Sequence, residues 1–211
     1  MIVSTAELTG LAAISGSGWL PGVPATAGAA QAAAAMEGLR AKGVVGEDGR
    51  VTRFGMLPVR VVEQYWRADR HVFVNQLKAS LNDDGAVTVF HPVGDSWKVS
   101  RMAPQTLMVA LLEAYPWLCI GGTRVPAGPW RPLTLKQWED GRGTDSDQVL
   151  VVRDTCVSGA MSTTVAFDLR QGCGFAYLFG SGEGRTLPVW QIRSEIAGRL
   201  GCIPDGMDAH G

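Results

Sequence analysis

The chain has 211 residues, 46% of them hydrophobic and 18% charged, and 19 Lys and Arg against 20 Asp and Glu give a net charge of -1. That length buries a real core without cross-links, and the neutral balance provides no field of the kind that collects nucleic acid or anionic lipid, so a polyanion partner is disfavoured. Cys119, Cys156, Cys173 and Cys202 stand far apart, with no CxxC pair and no secretory leader ahead of them, which reads as reduced thiols in a cytoplasmic protein. No stretch approaches the roughly 20 apolar residues that cross a bilayer. Ser4-Thr5-Ala6-Glu7 is a capping-box pattern and predicts a helix through about Ile14. A loop punctuated by Gly16, Gly18, Pro21, Gly22 and Pro24 follows, then an alanine-rich helix from Thr26 to Ala41 with Met36 and Leu39 on its apolar stripe. Gly43 suits a helix C-cap. Val44-Val45 and Arg50-Val51-Thr52 flank a Glu47-Asp48-Gly49 turn as a small hairpin, and Phe54 to Trp66 reads as a third helix with Pro58 in its first turn.

From there the period shifts to that of strands. His71–Ser80, Ala86–His91 and Ser96–Met102, separated by Asp83-Asp84-Gly85 and Pro92-Val93-Gly94-Asp95, predict an antiparallel meander, which a helix from Pro104 to Trp117 closes. A second meander is expected from Gln148–Asp154, Met161–Leu169 and Phe175–Phe179, preceded by a brief helix from Thr134 to Trp138. Gly180-Ser181-Gly182-Glu183-Gly184 reads as a turn, and Pro188–Leu200 as a helix with Val189, Ile192, Ile196 and Leu200 on one stripe. The expected organisation is an N-terminal α+β half over 1–120, a Gly- and Pro-rich linker over 121–132, a C-terminal α+β half over 133–204 and a flexible tail over 205–211.

Little in the chain speaks for catalysis. His71, His91 and His210 are the only histidines, no G-x-S-x-G elbow exists, and a His71–His91 metal pair across neighbouring strands lacks a third ligand. The glycine-rich run at 180–184 has no P-loop lysine and carries Glu183, so a hairpin turn is favoured over a phosphate cradle. Cys173 between Gly172 and Gly174 reads as a turn cysteine, and Asp145, Asp147 and Asp154 as solvated carboxylates. Catalytic, cofactor-binding and metal-binding residues are therefore expected to be none. Of seven tryptophans, Trp138 and Trp190 are the two placed to border a partner surface, against a default of core packing.

Several stretches together carry a family resemblance. Ser4-Thr5-Ala6-Glu7-Leu8, the Ala-Met-Glu-Gly-Leu-Arg-Ala-Lys-Gly run at 35–43 with its Asp48-Gly49 turn, Arg67-Ala68-Asp69-Arg70 leading into a strand, and the late glycine-rich segment are the residues concerned. In their order they resemble the EspG family, cytosolic chaperones of actinobacterial type VII secretion that bind PE–PPE substrate pairs. The chain would be a divergent or shortened relative. The resemblance implies an α+β fold with a central antiparallel sheet flanked by helices in two pseudo-symmetric halves. It also implies a non-enzymatic protein-binding role with a PE–PPE-type partner, no cofactor, no nucleic acid and no membrane. By the same analogy the partner surface takes in the sheet loops and the last helix, hence Asn82, Asp83 and Asp84 with Trp190 and Ile192. Two alternatives stand beside it: an unrecognised small enzyme, or a winged-helix-like DNA-binding protein using Arg40, Lys42, Arg50 and Arg53 as phosphate contacts.

Overall fold

The structure is a computed structural model that describes residues 1–25, 28–120, 126–140, 149–156, 161–170 and 173–202. In chain order its elements are β1 (Ile2–Ser4), α1 (Thr5–Ile14), α2 (Ala29–Ala41), α3 (Met56–Arg67), β2 (Arg70–Val74), β3 (Leu77–Leu81), β4 (Val87–Val93), β5 (Ser96–Met102), α4 (Pro104–Ala114), a 3-10 turn (Pro116–Cys119), β6 (Arg131–Pro132), α5 (Leu135–Asp140), β7 (Leu150–Cys156), β8 (Met161–Arg170), β9 (Cys173–Phe179), β10 (Glu183–Leu187) and α6 (Val189–Arg199). The protein is α+β, with antiparallel sheet and flanking helices. It divides into two compact units, Met1–His71 with Gln76–Met102, and Val72–Asn75 with Ala103–Gly211. The half-boundary expected near 120 does not coincide with this division, because α4 and the 3-10 turn belong to the second unit.

In the first unit the sheet runs β1-β5-β4-β3, and its strands pair antiparallel. Strand β1 was not expected from the sequence. It is held by its register with β5 (Val3↔Trp97) and by the terminal ammonium, which donates to Val99 O at 3.0 Å. The capping box is present as expected: Glu7 N donates to Ser4 Oγ at 3.1 Å and Ser4 N to Glu7 Oε2 at 2.7 Å. The Glu7 carboxylate also reaches α2, where Lys42 Nζ donates to Oε1 at 2.6 Å, and Gly38 passes so close that a Cβ there would strike it. Helix α2 ends in a Schellman arrangement. Val44 N donates to Leu39 O at 2.9 Å and Gly43 N to Arg40 O at 2.8 Å, while Gly43 takes φ +68°, a conformation open to glycine at little cost.

Helix α3 buries one face and exposes the other. Val61, Val62 and Tyr65 join a core built with Leu8, Leu11, Leu39, Phe90 and Val99. Tyr65 is its hub. The ring stacks on Phe90 with centroids 4.0 Å apart, meets His71 edge-on at 5.0 Å, and its hydroxyl donates to Pro21 O at 2.7 Å. His71 Nε2 in turn donates to the Tyr65 carbonyl at 2.9 Å.

The single strand expected over 71–80 is a correction: the chain turns at Asn75–Gln76 between β2 and β3. Asn75 adopts φ +50°, which its short amide side chain tolerates better than most residues. That side chain is fully used. It accepts from Val151 N at 2.8 Å and donates to Tyr115 Oη at 2.6 Å and to Val149 O at 3.2 Å.

In the second unit the strand order is β2-β7-β8-β9-β10-β6. Part of the expected linker is thus strand, since Pro132 pairs with Glu183 and Arg131 with Gly184. The turn expected over 180–184 is shorter, and Glu183 and Gly184 already belong to β10. Thr134 opens α5 through a reciprocal pair with Gln137: Gln137 N donates to Thr134 Oγ1 at 3.2 Å, and Thr134 N to Gln137 Oε1 at 2.9 Å. Trp138 is buried there, stacked on Tyr177 at 5.3 Å, so it belongs to a core and not to a surface. Among the described residues no helix is long and apolar enough to cross a membrane.

Two measurements test this packing. Tyr65→Phe leaves the buried Pro21 carbonyl without its donor and should lower unfolding stability by about 1–2 kcal/mol, with an unchanged denaturant m-value. Burial pushes the Glu7 carboxyl up, but hydrogen bonds from Lys42 and Ser4 outweigh it and hold the group below its ordinary value. A carboxyl depressed in the fold stabilises above its unfolded pKa of about 4.3 and loses that contribution as pH falls through the folded value. Urea unfolding should therefore weaken in that acid range for the natural chain, with a shallower fall for Glu7→Gln.

Candidate partner-binding surface

The outward face of α3 and the turn between β3 and β4 enclose an open cleft of about 440 Å³ in the first unit. Arg60, Glu63, Gln64, Arg67 and Ala68 line it from the helix, and Asn82, Asp83 and Asp84 from the turn. The helix supplies polar residues here because its apolar stripe already faces the core, leaving positions spaced by a turn to point outward. Arg67 is paired with Glu63 at 2.9 Å, and its guanidinium lies 5.2 Å from the Trp66 ring centroid.

The three turn residues have different jobs. Asn82 is used internally: its Nδ2 donates to Thr88 Oγ1 at 3.0 Å, its Oδ1 accepts from Ser80 Oγ at 3.1 Å, and its backbone carbonyl accepts from Gly85 N at 3.0 Å. Asp84 accepts from Ala86 N at 3.1 Å and forms an ion pair with Arg101. Asp83 is exposed at the lip of the cleft, and its carboxylate is the one of the pair that the turn itself does not occupy. Asn82 and Asp84 thus fix the turn, and Asp83 is offered to solvent.

In the second unit Trp190 is 52% exposed on α6 and borders a shallow cleft of about 380 Å³ with Met108, Arg193, Ser194 and Ala197. Ile192 is a correction. It is fully buried with Val189 and Ile196, since two residues along a helix turn a side chain to nearly the opposite face. Ile192 holds α6 in place, and Trp190 is the residue on display.

The other sequence candidates find structural roles or fall outside the described residues. His71 is buried, and desolvation pulls its pKa below the ordinary value although the bond to Tyr65 O and the charge of Asp69 oppose this; His91 is exposed. Among the described residues no three His, Cys, Asp or Glu side chains gather as a metal site. Cys173 opens β9. Asp145, Asp147 and Gly172 lie outside the described residues, as does the tail at 205–211. Of the basic residues that a winged helix would turn to DNA, Lys42 is bound to Glu7 and Arg50 lies 3.9 Å from Asp48.

A family model described as "Domain of unknown function (DUF5081)" matches residues 1–120, a span that contains α3 and the Asn82–Asp84 turn. The chain belongs to the DUF5081 family. No curated protein matches it. Among solved structures this DUF5081 chain is similar to the Mycobacterium tuberculosis type VII secretion system chaperone EspG5, whose structure is of a complex with a PE25–PPE41 dimer. The TM-score is 0.60 at 11% identity, and the match covers 98% of this chain and 97% of that one. The likeness therefore shows a shared fold across both chains.

The two faces of α6 make separable predictions. Ile192→Ala should cost about 2–5 kcal/mol, whereas Trp190→Ala should stay within about 0.5 kcal/mol of the natural chain; thermal unfolding of the two variants distinguishes them.

Proposed function

We propose that this chain is an EspG-like cytoplasmic chaperone that binds a PE–PPE-type substrate of a type VII secretion system without doing chemistry on it. The observation that carries this reading is the fold likeness to EspG5 over 98% of the chain. A secretion substrate that exposes apolar helix tips self-associates in water, and covering such a tip yields roughly 25 cal/mol per Å² before ordering costs. The chaperone has only to compete with aggregation. The α3–turn cleft suits a polar and charged rim contact through Asp83, and Trp190 suits an aromatic anchor, the residue type enriched where interfaces hold most of their energy.

Co-expression of the chain with a PE–PPE pair, followed by affinity capture and titration of the purified components, tests this. The natural chain should retain the pair as a soluble complex. Asp83→Arg and Trp190→Ala should each weaken binding about tenfold or more, equivalent to about 1.4 kcal/mol, without loss of fold. Failure of the natural chain to retain any such pair rejects the proposed function. Full binding by both variants rejects the assigned surface.

A further inference from the structure

The outward stripe of α6 sets a tryptophan and an arginine in one cleft with no acid lining it. Trp190, Arg193, Ser194 and Ala197 are spaced as neighbours on one face of the helix, opposite the buried Val189, Ile192 and Ile196. Met108 lines the same cleft from α4, and Val109 beside it in the chain is 54% exposed. The body of the cleft is therefore apolar, made of the Met108 side chain, the Trp190 ring and the Ala197 methyl. Its main polar groups are donors. The Arg193 guanidinium and the Trp190 indole carry N–H groups only, and neither can accept a hydrogen bond. The Ser194 hydroxyl is turned back along the helix, donating to Trp190 O at 3.1 Å.

Charge decides what such a cleft accepts. Arg193 forms no ion pair among the described residues, and no carboxylate lines the cleft. The acids of the two helices are committed or turned away. Glu195 is bound to Arg185 of β10 at 2.5 Å, and Glu113 lies five residues past Met108, well round α4 from it. A guanidinium beside an aromatic and aliphatic wall loses water when the cleft is covered, and only an anion from the occupant restores what is lost. The planar fork of arginine suits a carboxylate, which it grips through two parallel N–H bonds. Resting on the assignment of Trp190 to the substrate surface, we propose that this cleft takes an acidic–apolar segment of the protein substrate. A Leu- or Phe-type side chain packs on Trp190 and Met108, and a neighbouring Asp or Glu carboxylate is held by Arg193.

Fluorescence anisotropy of the full chain with three labelled helical peptides tests this. The peptides share one apolar stripe of Leu and Phe and differ in a single flanking residue, Glu, Gln or Lys. The Glu peptide should bind about tenfold more tightly than the Lys peptide, with the Gln peptide between them, and the difference should shrink as salt rises from about 50 to 500 mM. Arg193→Gln should remove the preference, Arg193→Glu should invert it, and Trp190→Ala should weaken all three peptides alike, each variant keeping the natural melting temperature. Equal binding of the three peptides, a preference for Lys, a Glu preference that survives Arg193→Gln, or no binding of the Glu peptide up to about 1 mM overturns the proposal. A PE–PPE pair supplies the second arm: Arg193→Glu should weaken its binding about tenfold. If the natural chain holds no pair while the peptide order stands, the proposed function falls and the preference of the cleft remains. If the natural chain and Arg193→Glu hold the pair equally, the proposed function stands and the carboxylate contact is rejected.

Discussion

The first unit is organised around one buried phenol. Tyr65 points from α3 into the core, stacks on Phe90 of β4, and ends in a hydrogen bond to Pro21 in the loop between α1 and α2. Three segments distant in sequence are therefore fixed by one side chain. Burial holds its hydroxyl in the neutral donor form by raising its pKa, which suits the bond to a carbonyl. His71 completes the arrangement by donating to the backbone of the same residue and presenting its ring to the same phenol. With the inner face of α3 committed in this way, the outer face is left to solvent, and everything assigned to recognition in this unit lies on it or beside it.

That outer face is chemically uneven. The corner leading into α3, pinned by Gly55 and Thr52, exposes apolar side chains, and the later turns of the helix are charged and face the Asn82–Asp84 turn across an open cleft. The cleft is framed by groups that largely satisfy one another, Arg67 with Glu63 and Asp84 with Arg101. Exposed paired charges of this kind are well solvated and bring little focused field to a neighbouring atom. The second unit contributes a different element, a tryptophan displayed by a helix whose opposite stripe is buried.

Much of this was legible in the sequence where a local rule determines the local structure. The Ser4–Glu7 capping box, the Gly43 cap and the Val189–Ile192–Ile196 stripe each depend on residues a few positions apart, and each is present. The failures involve partners far along the chain. Strand β1 exists because β5, nearly a hundred residues later, supplies its hydrogen bonds, and Arg131–Pro132 becomes strand because β10 lies beside it. Asn75 was hidden inside an apolar run, although an Asn-Gln pair in the middle of a long strand pattern was a turn signal available to be read. At the candidate site, the Asn82–Asp84 turn was legible from Asp and Gly chemistry, whereas Ile192 was assigned to the surface despite lying on the apolar stripe that its own helix must bury. The exposure of Phe54, Met56 and Leu57 was not legible either: pattern alone reads them as ordinary helix residues, whereas Phe54 precedes α3 and all three stand in water.

The central claim is that the chain is a docking platform for a PE–PPE-type pair, with the outer face of α3, the Asn82–Asp84 turn and Trp190 as its contact points. Hydrogen–deuterium exchange of the chain alone and with a purified pair tests this most directly, since it reads the contact surface peptide by peptide without any substitution. The account predicts slowed exchange in the peptides covering Asn82–Asp84 and the start of α6, with the buried strands unchanged. No slowing anywhere in the presence of the pair, or slowing confined to other segments, would contradict it.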